Sequence, residues 1–90
     1  MKKIIVTFTP VLTYSDLQTL IARRGELNSH GLFFEDSDMN KGELIFNLDP
    51  ESATDRPAEQ AKILALTIND FADFFRKILP DKETIEVIIE

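Results

Sequence analysis

Leu32-Phe33-Phe34-Glu35 and Glu43-Leu44-Ile45-Phe46-Asn47-Leu48, joined by Asp36-Ser37-Asp38-Met39-Asn40-Lys41-Gly42, decide the fold. In the second segment Leu44, Phe46 and Leu48 fall on one side. Glu43, Ile45 and Asn47 fall on the other, which is the period-two alternation of a half-buried strand. The joining segment is built from Asp, Asn, Ser and Gly. These residues bond their own backbone or accept unusual φ values, and so they make turns. A β-hairpin therefore occupies the middle of the chain.

Outward toward the N-terminus, the pattern changes to period 3.6. Ser15-Asp16-Leu17-Gln18 has the form of a capping box, and Leu17, Leu20 and Ile21 share one side of the helix it starts. Arg23 and Arg24 suit the negative end of the helix dipole, and Gly25 suits its stop. Asn28-Ser29-His30-Gly31 reads as a loop. Before the helix, Lys3–Thr9 alternates, with Ile4, Val6 and Phe8 on one face and Lys3, Ile5, Thr7 and Thr9 on the other. Pro10 ends this first strand, because proline has no amide to give to a ladder.

Outward toward the C-terminus, Asp49–Arg56 is a polar connection. Pro57–Leu79 then carries a broad apolar stripe of Ala61, Leu64, Ile68, Phe71, Ala72, Phe75, Ile78 and Leu79, the pattern of one long helix. Thr54 or Asp55 would cap it, and Pro57 fits its first turn. Pro80 stops it. Thr84–Ile89 is a last strand, with Ile85, Val87 and Ile89 opposite Glu86, Ile88 and Glu90.

The resulting order is β-α-β-β-α-β. Alternating strands mean one apolar sheet face and one mixed face, so both helices should cover the same side. The expectation is an α+β, ferredoxin-like two-layer sandwich. It has an antiparallel four-stranded sheet in the order 4-1-3-2 and a single domain over residues 1–90. The first half of the core would be Ile4, Val6, Phe8, Leu17, Leu20, Ile21, Leu32 and Phe34. The second half would be Leu44, Phe46, Leu48, Leu64, Ile68, Phe71, Phe75, Ile85, Val87 and Ile89. This fold carries many unrelated activities, so function rests on particular residues.

The composition excludes several chemistries. No cysteine is present among the 90 residues, so thiolate metal sites, iron–sulfur clusters and thiol nucleophiles are ruled out. A small domain without disulfides points to a reducing, cytoplasmic setting. The basic N-terminus Met1-Lys2-Lys3 precedes apolar residues as in a signal peptide. However, Thr7, Thr9 and Pro10 break that run, and no small-residue cleavage site follows. The net charge of −6 repels phosphate backbones and anionic lipid and favours a basic protein partner. It also serves solubility.

Other chemistries fail on particular positions. RNA-recognition domains share this topology and stack bases on aromatics of the central strands. Here those places hold Ile5, Glu43 and Ile45. Asp36, Asp38 and Asn40 have the one-three-five spacing of a calcium loop, but Lys41 and Asn47 stand where glycine and glutamate are needed. The three glycines are isolated, so no phosphate loop exists. His30 is the sole imidazole, and no cofactor or metal is expected.

The mixed sheet face offers more. Ile5, Phe33, Ile45 and Ile88 should point away from the helices as one stripe, framed by Lys3, Thr7, Glu35, Glu43, Asn47, Glu86 and Glu90. Polar-rimmed apolar patches mark interfaces. Leu66 falls opposite the long helix's core stripe, among Glu59, Lys62, Asp73 and Lys77, as a further exposed contact. The leading expectation is a non-enzymatic, acidic interaction protein, inhibitor- or immunity-like or self-associating as a homodimer, that uses this face. The alternative is a small-ligand regulatory module of the amino-acid-sensing, ACT-like type. It would bind near the first strand's exit, where Thr13 and Tyr14 offer hydroxyls. The third reading is an enzyme built on Ser29 and His30 with Asp49, Glu51 or Asp55. A fourth is a nucleic-acid mimic presenting Asp70, Asp73, Glu83, Glu86 and Glu90.

Overall fold

Each alternating segment becomes a strand of one antiparallel sheet. The structure, a computed structural model, describes residues 2–90; Met1, part of the basic N-terminal segment, lies outside them. The strands are β1 (Lys2–Thr9), β2 (Leu32–Asp38), β3 (Glu43–Leu48) and β4 (Thr84–Ile89). They lie in the order β2-β3-β1-β4, and every neighbouring pair is antiparallel. β1 and β3 are therefore central, and β2 and β4 are edges.

Five helices join the described strands: α1 (Tyr14–Ala22), α2 (Arg24–Ser29), α3 (Pro50–Ala53), α4 (Pro57–Leu64) and α5 (Ile68–Ile78). Ile4, Val6 and Phe8 of β1 and Leu44, Phe46 and Leu48 of β3 are buried on the face that meets Leu20, Leu27, Ile63, Phe71, Phe75 and Ile78 of the helices. The core is rich in phenylalanine. Phe75 meets Phe8 edge-on at 5.7 Å and Phe46 at 5.5 Å between ring centroids. Such ring pairs add about 0.5–1.5 kcal/mol beyond their area.

The helices depart from expectation in several places. Asp49–Arg56, read as a polar connection, holds α3 with Asp49 as its cap, and Arg56, with no side-chain cap bond, precedes α4 in place of Thr54 or Asp55. The first helix starts two residues earlier, because Thr13 rather than Ser15 is the cap. The Thr13 hydroxyl accepts from the Asp16 amide at 3.1 Å, and Asp16 accepts from the Thr13 amide at 2.9 Å. Gly25 does not stop the helical path. The chain bends at Arg23 and continues as α2, which buries Leu27. The true stop is Gly31, with φ +79°.

The long C-terminal helix is two helices. Thr67 leaves the helical region, with φ −94° and ψ 169°, and forms a capping box with Asp70. The break resets the helical phase. α4 therefore buries Ile63 and leaves Leu64 55% exposed, and Ile68 at the start of α5 is 48% exposed. Both had been expected in the core. Leu66, expected on the outer face, lies in the break and is half-buried against the core.

Two more expected core residues are exposed: Ile21 at 67% and Phe34 at 59%. α1 ends one residue after Ile21, and Leu27 of α2 takes a buried place instead. The helical layer does not close over Phe34, although Phe34 pairs with buried Phe46.

Candidate functional site

Strand register builds the open face of the sheet. Ile5 of β1 stands opposite Ile45 of β3 on one side and opposite Ile88 of β4 on the other. The three isoleucines thus form a straight row across three strands. Ile88 is 52% exposed, while Ile5 and Ile45 are half-buried. Phe33 is not in that row. It stands on the β2 edge opposite Asn47, two residues along β3 from Ile45, and is also half-buried. Leu66 is on the other side of the sheet and does not join the row.

β2 also carries a register shift. Pairing jumps from Phe34↔Phe46 to Asp36↔Ile45, so Glu35 is the extra residue of a β-bulge. The bulge brings Asp36 beside Ile45, where unbroken pairing would place another residue. Lys3 reaches across β3 to Glu35 at 3.5 Å. The isoleucine row is therefore bordered by Glu35, Asp36, Asp38, Glu43, Glu86 and Glu90, with Lys3 as the cation among them. Glu35, Asp36 and Asp38 also blunt β2 as an edge, because a second acidic strand laid there would meet like charge.

β2 runs on through Asp36, Ser37 and Asp38, which the sequence assigns to the joining loop, and both aspartates bond nearby backbone amides. Asp38 accepts from the amides of Asn40 at 3.1 Å and Lys41 at 3.2 Å, and Asp36 accepts from the Ser37 amide at 2.8 Å. Gly42 has φ +66°, and its amide oxygen accepts from the Phe8 amide at 2.8 Å. Among the described residues, no group of three His, Cys, Asp or Glu side chains is arranged to hold a metal ion.

His30 caps α2 with its ring lying on Phe74, 4.1 Å between centroids. Its Nδ1 is 2.8 Å from the Glu26 carbonyl, an acceptor, so Nδ1 carries the proton there. The Ser29 hydroxyl donates to the same carbonyl at 2.7 Å. Serine and histidine therefore both donate to backbone instead of to one another, and the 3.5 Å between them is not a nucleophile–base bond. Asp49 is engaged elsewhere. It caps α3 through Ser52, and that hydroxyl at 2.6 Å together with the Ser52 amide holds its carboxyl below the usual value.

The exit of β1 is similarly committed. The Thr13 hydroxyl is taken by the helix cap, leaving Tyr14, at 83% exposed, as the free hydroxyl there.

Sequence reasoning missed a concavity on the helical side of the sheet. It lies between α1–α2 and the β2 edge and has a volume of about 770 Å³. Leu20, Leu27, Leu44 and Phe46 form its floor, and Ile21 and Phe34 stand at its rim. Phe33 reaches its border from the sheet edge. The signal available in the sequence was weak: Ile21 and Phe34 look like ordinary core residues.

Against protein-family models, curated proteins and solved structures alike, the chain has no match. Among the described residues, no helix is long and apolar enough to cross a membrane.

Proposed function

We propose that this chain is a ferredoxin-like, non-enzymatic interaction domain of the cytoplasm, inhibitor- or immunity-like, whose open sheet face binds a basic protein. Strand neighbours that run 4-1-3-2 from the β4 edge support the fold assignment. One observation carries the functional reading: the Ile88–Ile5–Ile45 row, in register across three strands and bordered by six carboxylates. The row supplies apolar area, and the border supplies steering toward a cationic surface. Two copies set face to face would oppose carboxylate to carboxylate, so a basic partner fits this face better than self-association does. The internal commitments of Ser29, His30 and Asp49 favour a binding role over a catalytic one.

The test combines light scattering with affinity capture on immobilised chain. The expected result is a monomer that retains a basic protein, released by salt. Ile45→Glu should abolish retention although it adds a favourable charge, because it interrupts the apolar row. A stable homodimer, or a partner held equally well by Ile45→Glu, would refute the reading.

A further inference from the structure

The groove on the helical side differs in electrostatic character from the rest of the molecule. Its lining contains Arg24 and no carboxylate, in a chain with a net charge of −6. Among the described residues, no carboxylate pairs with Arg24, whereas its neighbour Arg23 pairs with Glu26 at 3.7 Å. Asn28, one turn beyond Arg24 on the same face of α2, lines the groove as well, and Ser37 lines it from β2. Arg24, Asn28 and Ser37 thus line a cavity whose other lining residues are leucine, isoleucine and phenylalanine. Its volume of about 770 Å³ is that of a small-molecule site, and a mostly apolar lining with few polar groups is the usual composition of one.

Ile21 and Phe34 give the groove a reason to be filled. They are 67% and 59% exposed, at the rim of a depression whose floor is core. An occupant with a linear apolar tail would cover both, and a single negative head would meet Arg24. From this combination we infer that the groove binds a single-chain, apolar-tailed carboxylate, with the tail over Leu20, Leu27 and Phe46 and the head at Arg24, Asn28 and Ser37. The groove lies on the helical side of the sheet, away from the isoleucine row, and meets the open face only at Phe33 on the β2 edge.

Calorimetric titration with sodium decanoate and sodium dodecanoate, both below micelle formation, tests this. Saturable one-to-one binding is expected, tightening about fourfold for each added methylene. Decyltrimethylammonium, with the same tail and the opposite charge, should bind more weakly. Arg24→Gln should weaken decanoate about tenfold and leave the ammonium compound unchanged, since a hydrogen bond to a charged group is of that order. Phe34→Ser alters an exposed side chain and should weaken both ligands. Equal affinity for the two heads would overturn the inference, as would no effect of Arg24→Gln. So would binding confined to phosphatidylglycerol vesicles with none to monomeric decanoate.

Discussion

Lys82 Nζ lies 2.7 Å from Asp16 Oδ2, joining residues sixty-six positions apart across the end of the sandwich. The lysine is 7% exposed and also donates to the Val11 carbonyl at 3.2 Å. Asp16 meanwhile completes the cap of α1. One carboxylate therefore orders a helix start and neutralises a buried ammonium. Lys82→Ala should cost about 1.5–3 kcal/mol, the range for losing a hydrogen bond to a charged group. Asp16→Asn should cost at least as much, because it leaves the buried charge without its partner. Urea unfolding of each variant measures both.

The same pair makes stability depend on acid. Burial raises the Asp16 pKa, but the bond from Lys82, the two Thr13 bonds and the lysine charge outweigh it, so the net value lies below the ordinary 3.8. Asp49 and Asp70 are lowered too, by Ser52 and Thr67. A carboxyl with a depressed folded value binds fewer protons folded than unfolded. Its contribution is complete above the unfolded value and disappears as pH falls through the folded one. The urea midpoint should therefore hold down to about pH 5 and fall steeply below pH 4. Asp16→Asn should flatten that fall. An unchanged slope in Asp16→Asn would remove this residue from the account.

The break between α4 and α5 depends on Thr67. Thr67→Ala removes the hydroxyl that accepts from the Asp70 amide at 3.1 Å. A loss of about 1 kcal/mol is expected. Amide exchange should accelerate at the start of α5 while the core strands remain protected. Uniform exchange across α4 and α5 would indicate a continuous helix instead.

Gly42 meets two constraints together. Its φ is +66°, and a Cβ there would lie 2.7 Å from the Phe8 carbonyl and 3.0 Å from Val11 Cα. Both obstacles are backbone, so neither can move aside cheaply. Gly42→Ala should destabilise the chain by more than about 1 kcal/mol, and Gly25→Ala, with open space around it, should not. Thermal unfolding of the two variants side by side makes the comparison.

Phe34 and Phe46 face one another across the hairpin, with ring centroids 6.1 Å apart, yet they should respond very differently. Phe46 is 1% exposed, and its replacement by Ala should cost about 3–5 kcal/mol. Phe34→Ser should cost under about 1 kcal/mol, near the range of surface changes. Equal losses would show that the groove is closed in solution.

The four strands were legible from residues alone, because period-two alternation is local and a hairpin leaves a turn composition behind it. Ile4, Val6, Phe8, Leu44 and Phe46 declared their faces in this way. The Thr67–Asp70 cap was also written in the chain. Continuous apolar periodicity on either side outweighed it, and the phase error then misplaced Leu64, Leu66 and Ile68 and left Ile63 out of the core. The isoleucine row could be anticipated up to one residue: Phe33 pairs with Asn47, two positions along β3 from Ile45, and the bulge at Glu35 sets Asp36 opposite Ile45.

The exposure of Ile21 and Phe34 was of a different kind. Alternation states which side of an element is apolar, since that follows from backbone geometry within a few residues. It does not state where the opposing layer ends. That boundary arises when α1 and α2 settle against β2 and β3, through contacts between segments far apart in the chain. It left two large apolar side chains at the rim of a groove with Arg24 beside them.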